Sequence, residues 1–350
     1  MIGLSPCVVC PETLGPLEPR EDGFWSPGAG RVYPVREGLV FFGYPARDAA
    51  MINATMAEEH EWQGTAAYLD RDIEFLRQSS PRAVDLINLI SRHLSGSADR
   101  PQALELGAGS GWVSWLLAVA GYDTWLADFE ANSLAIGLQY DHPNLGEGKR
   151  FACDARYAPF ADESFDLVLL KEFVHHVADY GLLFAEASRV LRPGGVVALM
   201  EPTRSVLQTL LELRAPDLHD GHVITWLDNY RHSLKRNGFT LLHETAVYSE
   251  RDNRFALLGK LKRRAARSVE DYRKPDVFTK AHLRLIGDAS SIVIGRKTAP
   301  APRAQRPPMR VIDPATLVIG DDERAQFRRM IPILEQAAER LQPLAIPAVS

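Results

Sequence analysis

Residues 103–111 read ALELGAGSG. A short apolar run carrying one acid, Glu105, passes into glycines at alternate positions, Gly107, Gly109 and Gly111. Glycine has no Cβ, so a backbone this bare takes left-handed conformations and comes close to a ligand. The helix expected to open near Ser110 presents free N–H groups and the positive end of its dipole to an anion. Strand, glycine turn, helix is therefore the unit from which the fold is read.

The unit repeats downstream. QALEL is a strand and GWVSWLLAVAGY a helix ended by glycine. DTWLADF is a strand, ANSLAIGLQY a helix, and KRFACDA and FDLVLL are strands. DYGLLFAEASRVL is a helix stopped by RPGG, and VVALMEP is another strand. Strands alternating with helices imply an α/β class, a doubly wound parallel sheet with helices on both faces. ITWLDNYRHSLKRNGF follows as a helix, TLLHETAVY as a strand and SSIVIGRK as a last strand.

The flanks differ in character. Prolines at 6, 11, 16, 19, 27, 34 and 45 exclude a helix from residues 1–46, which read as a small β module. Residues 47–98 turn helical, and Pro81 is expected to split that run in two. Residues 99–298 form the main domain, 299–311 a proline-rich linker, and 312–350 a C-terminal helical tail. In the tail, Asp321 and Asp322 are candidate caps. Phe327, Met330, Ile331, Leu334, Ala338 and Leu341 make one apolar stripe, for packing on the main domain or for a dimer contact. The net charge of −5 does not point to a nucleic-acid or membrane partner. Three cysteines, no signal-peptide layout and no bilayer-length apolar stretch lead to a cytoplasmic expectation.

Asp128 lies 21 residues after Gly107, at the end of the second strand, where an acid accepts hydrogen bonds from ribose hydroxyls. A dinucleotide and S-adenosylmethionine both fit that much. Dinucleotide loops usually read G-x-G-x-x-G, whereas this one reads G-x-G-x-G. Glu105 also suits a ligand carrying an ammonium group. Both favour S-adenosylmethionine.

Over roughly residues 99–200 the chain resembles the class I S-adenosylmethionine-dependent methyltransferases. ALELGAGSG, LADFE, FACDARYAPFADESFDLVLL, KEFVHHVAD and VLRPGGVVALMEP stand in the order of that family's motifs. The resemblance implies a Rossmann-like sheet and S-adenosylmethionine as cofactor. It implies Glu105, Gly107, Ala108, Gly109, Gly111, Asp128, Phe129, Asp154, Ala155 and Lys171 as binding residues. Asp154 would take the adenine amino group, and Ala155 would offer its N–H to the ring. It further implies methyl transfer by in-line attack, with positioning supplying most of the rate. A base is needed only where the nucleophile must lose a proton. Candidates in the loop after the fourth strand are Lys171, Glu172, His175 and His176, with His175, His176 and Lys171 as the catalytic set. The alternative for the histidine pair is capping or packing of the next helix. Glu201, Thr203 and Arg204 are expected to face the same crevice, and Trp62 and Tyr68 to shield the methyl group or pack in the core.

The front module resembles a zinc ribbon, with Cys7-x-x-Cys10 followed by GRVYPVREGLVFF. Its second cysteine pair is replaced by Ser26 and Ala29, and His60 is a stray third candidate. A structural zinc needs four ligands, so a metal-free module packed through Phe24, Trp25, Tyr33, Val35 and Phe41 is expected.

Residues 251–310 hold sixteen basic residues against five acidic. The run KLKRRAAR reads as an RNA-phosphate contact or as a solvated helix face, and no aromatic residues interleave it for base stacking. The function read first is methyl transfer to an O or N nucleophile of a small molecule. An RNA methyltransferase and a non-catalytic cofactor-binding protein are the alternatives.

Overall fold

The computed structural model describes residues 3–50, 66–94, 100–137, 142–145, 148–177, 179–203, 225, 227–248, 289–320, 324–325, 327–342 and 344. The first strands are β1 (Glu18–Arg20), β2 (Gly23–Ser26), β3 (Arg31–Arg36), β4 (Leu39–Phe41) and β5 (Gly43–Pro45). Helix α1 (Ala66–Leu94) precedes β6 (Gln102–Leu106), α2 (Trp112–Val119), β7 (Asp123–Asp128), α3 (Ala131–Ile136) and β8 (Arg150–Ala152). Then come β9 (Phe165–Lys171), α4 (Tyr180–Val190), β10 (Leu191–Thr203), α5 (Leu227–Arg236), β11 (Phe239–Tyr248) and β12 (Ala289–Lys297). The described chain closes with β13 (Met309–Val311) and α6 (Ile331–Ala338).

Eleven of the described strands share one sheet in the order β1-β2-β3-β4-β8-β7-β6-β9-β10-β12-β11. The pairings from β4 through β10 are parallel. Their middle strands are buried on both faces, which is why QALEL and FDLVLL are mostly apolar without strict alternation. From β6 the chain winds outward through β7 and β8, then returns to β9 and β10 on the other side. The strand order reverses between β6 and β9, and Gly107–Gly111 follow β6 at that carboxyl edge, where open α/β sheets place a ligand crevice. The last long strand is not the edge. β12 inserts antiparallel between β10 and β11, and its Val293 and Ile294 are fully buried.

Pro81 does not split the lead helix: α1 runs unbroken from Ala66 to Leu94 with Pro81 inside. An internal proline costs about 3 kcal/mol. Burial of Ala83, Val84, Leu86, Ile87 and Ile90 against the sheet offsets it.

The front module has no core of its own. β4 pairs in parallel with β8, Val40 opposite Phe151, so the module extends the main sheet. Tyr33 packs on Phe42 at 4.8 Å between ring centroids, and Phe42, Phe151, Phe160 and Phe165 continue the aromatic chain inward. Phe24, Tyr33 and Phe41 are buried as expected. Trp25 and Val35 remain half-buried, with Arg20 lying over the Trp25 ring. Cys10 Sγ sits 3.4 Å from Tyr33 Oη, and Ser26 Oγ accepts from the Ala29 N–H.

Residues 299–308 carry no helix or strand, yet they are tied down. Arg306 pairs with Glu186 and donates to Pro11 O, and β13 pairs antiparallel with β5. The tail stripe then packs on α1 and α2, with Phe327, Met330 and Leu334 buried and Ile331, Ala338 and Leu341 partly buried; Ala337, outside the stripe, is buried beside them. Asn88 of α1 holds this end through Arg340 O and Gln342 N. The stripe is thus consumed within the chain. Asp321 and Asp322 lie outside the described residues.

Candidate functional site

The three glycines all take left-handed φ, +75°, +52° and +79° at Gly107, Gly109 and Gly111. The N–H groups of Gly107 and Ala108 donate to Ala127 O on β7. The faces of the glycines differ. A Cβ on Gly107 would come within 2.0 Å of the Phe173 ring, whereas one on Gly109 would meet nothing within 4 Å. Gly109 is the open side of the loop. Asp128 shapes that side: its two carboxylate oxygens accept from Gly109 N–H at 2.7 Å and Glu130 N–H at 2.8 Å. Glu130 in turn caps α3 through Asn132 and Ser133 N–H groups.

Glu105 points into the same region from β6. It is 2% exposed and accepts from Ser114 Oγ of α2 at 2.5 Å. Burial pushes its carboxyl up to about 7, with Ser114 and Lys171 opposing the rise. Burial likewise pushes Asp128 up to about 6 against its backbone N–H donors. Both native values exceed the ordinary 4.5 and 3.8. The native state therefore binds more protons than the unfolded state across that interval. Stability present below pH 4 should be lost as pH rises through about 6 to 7. Glu105→Gln should flatten this slope, raising Tm at pH 8 relative to wild type more than at pH 5. Calorimetric scans at the two pH values check it, and equal slopes in both proteins would refute it.

Asp154 follows β8 and caps the 3-10 turn Ala155–Tyr157. Its carboxylate is engaged by Arg156, whose guanidinium also pairs with Asp48 at 2.7 Å. Ala155 is buried in that turn. Phe129 lies beside Tyr44, ring centroids 5.3 Å apart. The end of the front module thus lines this flank, because Asp154 N–H donates to Gly43 O.

On the opposite flank Lys171 ends β9. Its Nζ donates to Glu172 Oε2 at 2.8 Å and lies over the rings of Trp112 and Phe75. His175 is buried, and its Nδ1 is 2.8 Å from Glu201 Oε2. His176 is exposed, and its ring is tilted 39° against that of His175 at 4.2 Å between centroids. Glu201 is fully buried, and its other oxygen accepts from Phe173 and Val174 N–H groups. This corrects the expectation that Glu201 faces the crevice. It is the internal anchor of the loop. Thr203 likewise turns to Ser291 Oγ at 2.8 Å across β10 and β12. Arg204, His60, Trp62, the Tyr68 side chain and the run KLKRRAAR lie outside the described residues.

Folding therefore assembles Glu105, the glycines, Asp128 and Lys171 around one crevice. It adds Phe75, Trp112, Ser114 and Asp48, which lie outside the motifs, and Phe173 and Arg156, which stand in motifs without an expected role. Ser114 had a legible signal, since it falls one turn into α2 on the face toward β6. Phe75 and Asp48 had none, because both come from distant segments.

A family profile described as a methyltransferase domain matches residues 104–199. Among curated proteins, the demethylmenaquinone methyltransferase of Mycobacterium sp. (strain KMS) is 32% identical over 169 residues, 47% of this chain and 65% of that protein. The ubiquinone biosynthesis O-methyltransferase of Sinorhizobium fredii (strain NBRC 101917 / NGR234) is 31% identical over 136 residues, 38% of this chain and 52% of that protein. The chain thus spans less than two thirds of the length of these curated relatives. Among solved structures, a chain of the complex between the Haloferax volcanii Trm112 methyltransferase activator and a methyltransferase aligns with TM-score 0.47 at 18% identity, covering 67% of this chain and 95% of that one.

Proposed function

We propose that this chain is an S-adenosylmethionine-dependent methyltransferase acting on an O or N nucleophile of a small molecule. The observation that carries the reading is the open face of Gly109 at the β6/β9 switch, flanked by Asp128 and the buried Glu105. These residues fit the cofactor. The open face at Gly109 admits a ribose, Asp128 supplies the carboxylate for hydroxyls, and a buried acid with a raised pKa favours a cationic partner. When bound, S-adenosylmethionine supplies a methyl group on a positively charged sulfur, which an acceptor lone pair displaces in line. Asp154 and Ala155 are the residues that would hold the adenine, Asp154 by exchanging one of its Arg156 bonds for the adenine amino group.

His175 is the group assigned to accept the acceptor's proton. A ring nitrogen held by a buried carboxylate has a fixed tautomer and orientation, the arrangement of an oriented general base. His176, exposed and tilted against it, is assigned no proton-transfer role. The relatives named for demethylmenaquinone and ubiquinone biosynthesis support a small-molecule acceptor.

The test is transfer of tritiated methyl from S-adenosylmethionine into cell extract, separated into small molecules, RNA and protein. Label in the small-molecule fraction, above a heat-treated control, is the expected result. Label confined to RNA, or no label at all, would overturn the proposal.

A further inference from the structure

We propose that Lys171 sets the acceptor class: a positive charge beside the glycine loop that selects an acceptor whose O–H gives up its proton to leave an oxyanion, such as a phenol or enol. The proposal rests on the methyltransferase reading above.

Register places the charge. Leu169 of β9 lies opposite Glu105 of β6, so Lys171 stands level with Gly107 at the carboxyl edge. Its side chain is 3% exposed. Nζ lies 4.9 Å from the centroid of the Trp112 ring, and Trp112 directly follows the last loop glycine. The Phe75 ring lies 5.4 Å away on another side. Two ring faces and a carboxylate are the surroundings of an ammonium. An ammonium has three donors, and among the described residues Lys171 donates to one acceptor, Glu172. The pair is held under strain. Glu172 is not glycine, yet its φ is +51°, and its N–H is pinned to Met200 O at 2.8 Å. A left-handed residue beside a site is stored strain of the kind that surrounding structure must enforce.

The consequence is electrostatic. The cofactor brings a sulfonium, and its demethylated product has a neutral sulfur. Lys171 repels the first and not the second, in a buried setting where water screens poorly. An oxyanion between the two cations relieves that repulsion and is itself favoured over its protonated form. Lys171 would therefore act on both partners, lowering the acceptor's pKa and coupling its binding to that of the cofactor.

The experiment is calorimetric titration of S-adenosylmethionine and of S-adenosylhomocysteine, at pH 8.5, with and without 4-nitrophenolate as the anionic probe. Wild type should bind S-adenosylhomocysteine at least tenfold tighter than S-adenosylmethionine, and 4-nitrophenolate should narrow the gap at least threefold. Lys171→Met should close the gap and abolish the probe's effect, and Lys171→Arg should keep both. Glu172→Gln leaves the ammonium less neutralised, so it should widen the gap, a change opposite in sign that misfolding cannot produce. A gap unchanged in Lys171→Met, or no effect of the probe on wild type, overturns this inference. Binding of neither compound by wild type overturns the methyltransferase reading beneath it.

Discussion

Glu201→Ala should lower the unfolding free energy by about 3–5 kcal/mol, the usual loss when one member of a buried charged network is removed. The magnitude follows from what Glu201 satisfies. One oxygen accepts from two consecutive backbone N–H groups, Phe173 and Val174, and the other faces His175 Nδ1. Glu201 is fully buried and Val174 and His175 beside it are buried, while Phe173 is half-buried. Each stranded donor costs about 1–3 kcal/mol. Glu201→Gln separates structure from chemistry. The amide oxygen can keep both backbone donors, but its NH₂ group then faces His175. The imidazole must turn its Nδ1 into an acceptor and carry its proton on Nε2. Glu201→Gln should therefore recover most of the stability lost in the alanine variant, yet still transfer methyl at least tenfold more slowly than wild type. Urea titration with the transfer assay checks both. A Glu201→Gln protein as active as wild type would remove His175 from proton transfer.

Asp128→Ala should weaken S-adenosylmethionine binding by tenfold to a hundredfold, or about 1.4–2.7 kcal/mol, in the range of charge-assisted hydrogen bonds. Two effects add. The variant loses the acceptors for ribose hydroxyls, and it releases Gly109 N–H, whose bond to Asp128 shapes the open side of the loop. The fold should survive. Asp128 is a half-buried carboxylate whose pKa is already raised to about 6, so the native state gains little from its charge. The face freed at Gly109 opens where a Cβ would meet nothing within 4 Å. Titration calorimetry of both proteins, with thermal scans beside it, gives the answer. Affinity unchanged in a folded variant would move the ribose away from Asp128 and undo the cofactor placement.

These expectations differ in how early they were legible. Asp128 was marked by position alone, at the end of the second strand after a glycine loop. The spacing survives because strand and helix lengths are local properties. Glu201 was read in the right place and given the wrong duty. Its position at the end of β10 is local, but whether its carboxylate turns out to a ligand or in to a loop depends on Phe173–His175. That segment lies 26–28 residues earlier and has no sequence relation to it. Lys171 shows the same division. The residue stands in a motif, while its Phe75 and Trp112 surroundings come from α1 and α2.

By itself the sequence determined the alternation of strands and helices, the parallel sheet they imply, and the glycine loop with its acid. All of these rest on periodicity and backbone freedom within a few residues. Tertiary structure alone decided that α1 passes through Pro81, because burial of its apolar face outweighs one lost hydrogen bond. It decided that β12 enters between β10 and β11, since strand order depends on which apolar faces must be covered and not on chain order. It also decided that the front module joins the main sheet through β4 and β8 instead of standing apart. An edge strand leaves its backbone groups unpaired, and β8 offered an edge that only the folded chain presents.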